Sequence, residues 1–429
     1  MNGLTTANAP HSSVVIPHFI FAGLCFMALA ILIVLNSTSL LEAYFNTKII
    51  AITHMAVLGW ASMIVFGALY QLIPVVFETS LYSEKLAKIT FWISAVSILF
   101  LTYAFWNGAF SMLLVYASSF MFLSLFLFIL NIALSYRASQ IKNISSKFII
   151  ASIFWLAITE LVGTLIAFNF KFNFLSEIHL HYLKIHSSLG LVGWFLMLII
   201  GVGSTLIPMF FISHKLNEKK LVVSFLLINI GLLGLIMNWF IFSNTNFTFI
   251  FWGLIVMGVV SFVSFIFDSY KKRLRKKLDV GMRYTMLAIA SVLLPIVTSL
   301  VLLLVFNIEY ELLFRVTTFY GFSIILGFIT TMILGQTYKT LPFIVWLDKY
   351  KDLVGKTKTP LPREMYSEQI ATIQFYFYVG CIVSLSIGLI FNNYIAIKIG
   401  SLSLLIVAVL YNVNVFKIIF HKVKKREND

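Results

Sequence analysis

Apolar residues fill this chain in twelve long blocks, each bounded by a short polar run. The blocks lie near positions 18 to 36, 48 to 77, 89 to 107, 110 to 135, 148 to 169, 185 to 212, 221 to 242, 247 to 267, 284 to 306, 313 to 346, 370 to 391 and 394 to 416. Each is close to or above the roughly 20 apolar residues that a helix needs to cross a bilayer. The pattern predicts an all-α integral membrane protein of twelve spanning helices, with no separate soluble domain. The longest polar stretch, about 347 to 368, reads as the connection between the tenth and eleventh helices. An irregular segment, Asn169 to Leu183, precedes the sixth helix and carries Lys171, Glu177, His179 and His181. Among the odd-numbered connections it alone has enough side chains to cover or gate a site.

Within the blocks a second pattern repeats. Pro74, Pro208 and Pro342 are spaced 134 residues apart, twice over. Seven residues before each stands a glycine (Gly67, Gly201, Gly335), and fifteen before each a glycine followed by an aromatic: Gly59-Trp60, Gly193-Trp194 and Gly327-Phe328. In a chain with 8 prolines and 22 glycines, coincidence does not produce this spacing. A fixed period this long marks repeated subdomains. The repeats run approximately 12–145, 146–279 and 280–418, four helices each, followed by a basic tail, 419–429. The second, sixth and tenth helices are then equivalent, and an even number of helices per repeat makes the three parallel.

Composition agrees with a bilayer. Hydrophobic residues make up 60% of the 429 and charged residues 11%, against roughly 25% charged in soluble domains. Of the 31 Lys and Arg, only Lys48, Lys171, Lys184, Arg315 and Lys398 lie near odd-numbered connections. The positive-inside rule therefore puts both termini in the cytoplasm of a multi-pass plasma (inner) membrane protein. The run from Lys271 to Lys277 reads as a juxtamembrane cluster facing anionic lipid, so membrane lipid and not nucleic acid is the expected partner. The N-terminus has no basic region before its apolar stretch, and no cleavable signal peptide is expected. Cys25 and Cys381 fall inside predicted helices and give neither a disulfide framework nor a metal-ligand spacing.

Candidate chemistry lies with the eight histidines. His11, His214 and His421 read as solvated, and His18 as an interfacial residue at the cytoplasmic start of the first helix. His54, within the second helix, and His186, near the start of the sixth, share the outer side with His179 and His181. Ionisable groups at such depth usually face the bundle interior and mark sites. His54 stands 20 residues before its proline and His186 22 before its own, which puts them on faces about 200° apart. Where His54 stands, the other repeats have Ser188 and Phe322; where His186 stands, they have Ile52 and Tyr320. Glu160 is the one carboxylate deep within a predicted span, as a proton-relay group or as a neutral acid bonded to a neighbouring helix. Gln71, Thr205 and Lys339, each three before its proline, suggest polar side chains at a common mouth or simple anchoring.

With a histidine in Thr-His-Met-Ala-Val-Leu-Gly-Trp on the second helix and one in His-Ser-Ser-Leu-Gly-Leu-Val-Gly-Trp on the sixth, the chain resembles subunit I of the heme-copper oxidase superfamily. It is most similar to the C-family oxidases, the nitric oxide reductases and the NnrS proteins. The resemblance implies three pseudo-repeated four-helix arcs with the second, sixth and tenth helices innermost. It also implies a heme ligand at His54 and a copper ligand at His186. The family's centre needs further histidines on the seventh and tenth helices, which have none here. Oxygen or nitric oxide reductase turnover and copper are therefore not expected. What the resemblance leaves is one heme b on His54, with His186, His181, Tyr320 or a methionine as the second ligand, and with His179 close by. Trp60 and Trp194 are candidates to stack on the macrocycle. The glycines at Gly59, Gly67, Gly193 and Gly201 would let either a helix or a flat ring approach. The implied roles are electron transfer or nitric oxide or metal homeostasis, beside other respiratory or membrane subunits. The alternative is a cofactor-free transporter or channel that uses the pores of the arcs.

Overall fold

A computed structural model of the chain describes residues 9–304 and 309–423. Among them there is no strand, and twelve helices are long and apolar enough to span a membrane. They are α1 Ser12–Leu35, α2 Thr47–Val76, α3 Glu84–Trp106, α4 Met112–Ala138, α5 Ile144–Phe172, α6 His179–Phe211, α7 Lys219–Phe242, α8 Thr245–Lys271, α9 Val280–Leu304, α10 Tyr310–Leu353, α11 Glu368–Phe391 and α12 Tyr394–Ile419. Each matches one apolar block and overruns most of them by several residues, because a helix continues into the polar interface where hydropathy stops marking it. The segment expected to be irregular before α6 is therefore largely helical: only 173–178 remain between α5 and α6. Asn169 ties this short turn, its Oδ1 accepting from Phe174 N at 2.7 Å and Leu175 N at 2.8 Å.

The chain divides into two compact units, one of Leu72–Lys277 and the other of Pro10–Gln71 with the chain from Leu278 on. In both, large apolar side chains such as Trp92, Phe120, Leu226, Val260 and Ile399 lie exposed along mid-helix faces. Exposed apolar surface on this scale marks a face made for lipid. Polar groups point inward instead. In the first unit the Ser94 and Ser124 hydroxyls bond α3 to α4, and Asn131 of α4 bonds both backbone groups of Ser83. In the second, Asn412 of α12 donates to Gly23 O of α1 at 2.9 Å. Between helices in lipid such bonds and close small-residue contacts replace the hydrophobic drive.

α2, α6 and α10 meet α1, α5 and α9 respectively in the same way. A Cβ at Gly67 would meet His18 Cβ at 2.8 Å and Val15 O at 3.2 Å. At Gly201 it would meet Phe148 Cβ and Ser145 O at 2.9 and 3.1 Å, and at Gly335 Tyr284 Cβ and Gly281 O at 2.8 and 2.6 Å. Each glycine thus seats a carbonyl and the Cβ three residues later. One residue in each first helix is then equivalent: His18, Phe148 and Tyr284. Seven residues on, Cys25 and Trp155 crowd Gly59 and Gly193, and the Ser291 hydroxyl donates to Gly327 O at 2.6 Å. The glycines serve helix approach here. His18, expected at the interface, is fully buried in this contact, its ring edge-on to Tyr70 at 5.6 Å. It lies six residues into α1, which starts at Ser12, before the apolar block does.

Around the first of its two glycine contacts each of α2, α6 and α10 widens. Met55–Ser62, Leu189–Leu196 and Ser323–Thr330 are π-helical, and each stretch lies from 19 to 12 residues before its proline. Met63 N bonds Leu58 O and Met197 N bonds Val192 O, five residues back instead of four. Pro74, Pro208 and Pro342 follow inside the helices without ending them. Two of the polar residues three before the prolines are held at the start of a neighbouring helix: Thr205 Oγ1 donates to Ser145 Oγ of α5 at 3.1 Å, and Lys339 pairs with Asp279, the cap residue of α9. The Lys339 side chain is only 9% exposed, so it is an ion-paired group and not a snorkelling anchor.

The last helix is latched to α10. Lys349 Nζ donates to the carbonyls of Ile419 and His421, and the Tyr350 hydroxyl bonds His421 Nε2 at 2.8 Å. Burial, and after it the charges of Lys349 and Lys417, push the His421 imidazole below its ordinary value of 6.5.

Two outcomes follow from this packing. Gly335→Ala drives a Cβ into the Gly281 carbonyl and should lower stability by about 1–3 kcal/mol through overpacking. Gly253→Ala meets nothing within 4 Å and should be neutral or slightly stabilising; thermal melts in detergent compare the two. The docked His421 binds its proton at lower pH than a free imidazole, so docking is favoured above about 6.5 and lost as pH falls through the docked value. Protection of Phe420–Val423 from hydrogen exchange, relative to the intrinsic rate at each pH, should fall on acidification, and unchanged protection would remove the latch.

Candidate functional site

Asn46 opens α2, its side chain accepting from Lys48 N at 2.9 Å. Two turns on, His54 ends the α-helical part and immediately precedes the π-helical stretch. Ser188 and Phe322 take that place in the other repeats. The half-buried ring bonds Ile50 O through Nδ1 at 2.8 Å. A carbonyl only accepts, so Nδ1 carries the proton and the neutral ring keeps its lone pair on Nε2, the form in which histidine ligates metals. Trp60, also proposed against a macrocycle, is fully buried. It stacks on Phe26 at 4.3 Å, meets Tyr411 edge-on, and donates from Nε1 to Thr330 Oγ1 at 3.1 Å. Its surfaces are engaged in packing. By the proline ruler Phe322 of α10 takes the place of His54, with Tyr320 and Gly321 just before it; the Tyr320 carbonyl accepts from Ser323 Oγ at 2.7 Å. Nothing lies within 4 Å of a Cβ built on Gly321.

The other candidates gather in the first unit. His186 bonds across to α5, Nδ1–H to Thr159 O at 2.9 Å. It lies against Gly163, where a Cβ would meet its Cε1 at 2.7 Å. One turn along α6, Gly190 faces the Thr159 methyl in the same groove. The notch at Gly163 thus lets an imidazole lie against the α5 backbone. Glu160 is next to Thr159 in sequence and receives a hydrogen bond from Thr164 Oγ1 at 3.4 Å.

His179 and His181 are turned to other partners. Because Asn169 Oδ1 already accepts two backbone N–H groups, its Nδ2 is the donor to His179 Nε2, at 3.1 Å. The His179 ring also stacks on Phe170 at 4.2 Å. His181 packs edge-on to Tyr182 and Phe240, and Lys184 lies over Trp239. Trp194 is buried edge-on to Phe128 at 6.1 Å, while Trp155 fills the space beside Gly193. Asn229 accepts from Trp155 Nε1 at 2.9 Å.

His54 and His186 therefore share a tautomer but not a setting, one bonded to its own helix and the other to a neighbouring one. His18 adds a third ring of the same tautomer, Nδ1 to Val14 O at 2.9 Å. The run Val14-Val15-Ile16 before it was the signal that α1 begins early. Among the described residues no three His, Cys, Asp or Glu side chains are grouped to hold a metal ion. What the arrangement offers is single imidazole donors, each oriented by a backbone carbonyl.

Histidine 15N spectra of the protein in bilayers should show His18, His54 and His186 as Nδ1–H tautomers. Gly163→Ala should shift the His186 signals alone, and an Nε2–H form at His54 would remove its claim as a ligand.

Compared with known protein families, the chain matches no family model, and it matches no curated protein sequence.

Proposed function

We propose that this chain is a heme-binding membrane protein on the scaffold of heme-copper oxidase subunit I, acting in electron transfer or in nitric oxide or metal homeostasis. The observation that carries the reading is His54: a half-buried imidazole at the entry to a π-helical stretch, its Nδ1–H bonded to Ile50 O. π-Helical turns inside α-helices occur often at functional sites. The donor set fits a group needing one or two axial ligands better than a centre needing three imidazoles, since α7 and α10 contain no histidine. Bound heme would supply one-electron exchange and gas binding at iron. The chain's own part is to orient the ring through Ile50. Tyr320, His186 and His181 remain candidates for the second ligand, and reductase turnover of the superfamily type is outside the proposal. Lys and Arg placement supports cytoplasmic termini in a plasma (inner) membrane, with lipid and other respiratory or membrane subunits as partners.

A second reading, a cofactor-free transporter or channel, is favoured by one observation. Glu160 lies within α5, its carboxyl group accepting a long bond from Thr164 Oγ1 at 3.4 Å, as a proton-carrying acid in a span would.

Purified in mild detergent after expression with ample heme, the protein should contain iron and show a Soret band in its reduced-minus-oxidised spectrum. His54→Ala should abolish both, and His214→Ala, at an exposed position, should leave them. A protein without Soret band or iron leaves the transporter reading, in which Glu160→Gln abolishes transport.

A further inference from the structure

Spanning helices alternate in direction, so in the first unit the connections α2–α3, α4–α5 and α6–α7 and the chain leaving α8 all emerge on one side. Basic charge is unevenly shared among them. Residues 77–88 hold two Lys against two Glu, and 137–147 hold three Lys or Arg. The segments 211–220 and 268–277 together hold nine, against Glu218 and Asp268. Topology needs only a bias of Lys and Arg toward one side of the membrane. It does not gather them at the ends of two helices.

The two segments are fastened to each other. α6 ends at Phe211, whose carbonyl accepts from Leu274 N at 3.2 Å and Arg275 N at 3.3 Å. The Ser213 and Ser269 hydroxyls bond at 2.6 Å, and Lys272 Nζ donates to Lys215 O at 2.7 Å. Asp268, the carboxylate at the α8 end, is already paired with Lys220 at 2.6 Å. The fold therefore holds like charges together against their repulsion, which a bound anion would relieve. Arg273 is the group that this platform shapes. Its guanidinium lies over the Tyr270 ring, 3.7 Å from the centroid, and Nη1 donates to Tyr270 O at 2.6 Å. That leaves the edge of Nε and Nη2, the pair that grips a phosphate with two parallel hydrogen bonds. Nε is buried and has no hydrogen-bond partner among the described residues, a costly state for a cationic donor. Around it in the chain the surface turns apolar. Ile212 and Leu274 are exposed, and Lys271 Nζ sits over the exposed Phe267 ring at 4.5 Å, with Val260 exposed two turns further along the same face. Basic groups and apolar surface thus follow one another along α8 in the order in which a phospholipid presents its headgroup and its acyl chains.

We propose that the joined ends of α6 and α8 form a site for one anionic glycerophospholipid, its phosphodiester held by the Nε–Nη2 edge of Arg273 and its acyl chains lying along Phe267 and Val260. The surrounding lysines select against a zwitterionic headgroup, whose ammonium they repel. The site rests on the chain spanning a bilayer and is independent of heme on His54.

Native mass spectrometry of the full chain in neutral detergent tests it, with titration of phosphatidylglycerol or of phosphatidylcholine with the same acyl chains. One phosphatidylglycerol should bind about tenfold more tightly than phosphatidylcholine. Arg273→Gln should remove that preference, and so should Arg273→Lys, which keeps the charge but not the fork. Lys276→Gln, at an exposed position, should weaken binding by less than about twofold. Equal binding of the two lipids, equal losses in Arg273→Gln and Lys276→Gln, or an unchanged preference in Arg273→Lys means diffuse attraction and overturns the site. Displacement of phosphatidylglycerol by an equal concentration of inorganic phosphate or of a short oligonucleotide makes the partner a soluble anion and overturns it too. If thermal melts show Arg273→Gln unfolded, Tyr270→Leu, which removes the ring beneath the guanidinium, is compared with Lys276→Gln in its place, with the same expected loss and the same overturning result.

Discussion

A backbone carbonyl that loses its intrahelical partner inside a bilayer has no water to turn to, and leaving it unmet costs several kcal/mol. Three helices of this protein, α2, α6 and α10, nonetheless widen into π turns at matching places, and much of the surrounding structure follows from that constraint. In the third repeat the answer is explicit: Leu326 O and Gly327 O are met by hydroxyls from Thr331, Tyr378 and Ser291. In the first two repeats the backbone closes the turn with five-residue bonds, and Cys25 and Trp155 pack against the glycine. One backbone feature thus has three side-chain solutions. The solution with hydroxyls is also the one that makes its repeat polar.

The same constraint bears on the histidines. An imidazole near a spanning helix needs its N–H placed on an acceptor, and each of the three ring–carbonyl bonds uses Nδ1. His54 and His18 return to their own helices four residues back, while His186 crosses to α5 through the notch at Gly163. The outcome is a set of rings whose second nitrogens point away from their supporting carbonyls.

Spans and repeats were legible in the sequence because bilayer thickness and close helix approach act on residue type directly: about 20 apolar residues, or glycine at a fixed place. The π turns were not, since no residue type demands them and the glycine-aromatic pairs that mark them read equally well as helix crossings. The depth of His54 and His186 could be counted from the prolines. Their partners could not, because Thr159 and Gly163 lie on another helix with no fixed sequence distance from His186. The burial of His18 was not legible for a simpler reason: hydropathy marks where the hydrocarbon begins, and α1 begins earlier.

The equivalence of His18, Phe148 and Tyr284 has an evolutionary consequence. Spacing between the glycines and prolines of the inner helices is identical in all three repeats, yet 130 residues separate His18 from Phe148 and 136 separate Phe148 from Tyr284. The distance from that residue to the glycine it packs against thus differs, 49, 53 and 51 residues, while the stretch from the first glycine to the proline does not. That sixteen-residue cassette, 59–74, 193–208 or 327–342, is a natural module of exchange: copies of it can be transplanted between repeats without altering chain length, carrying their chemistry with them.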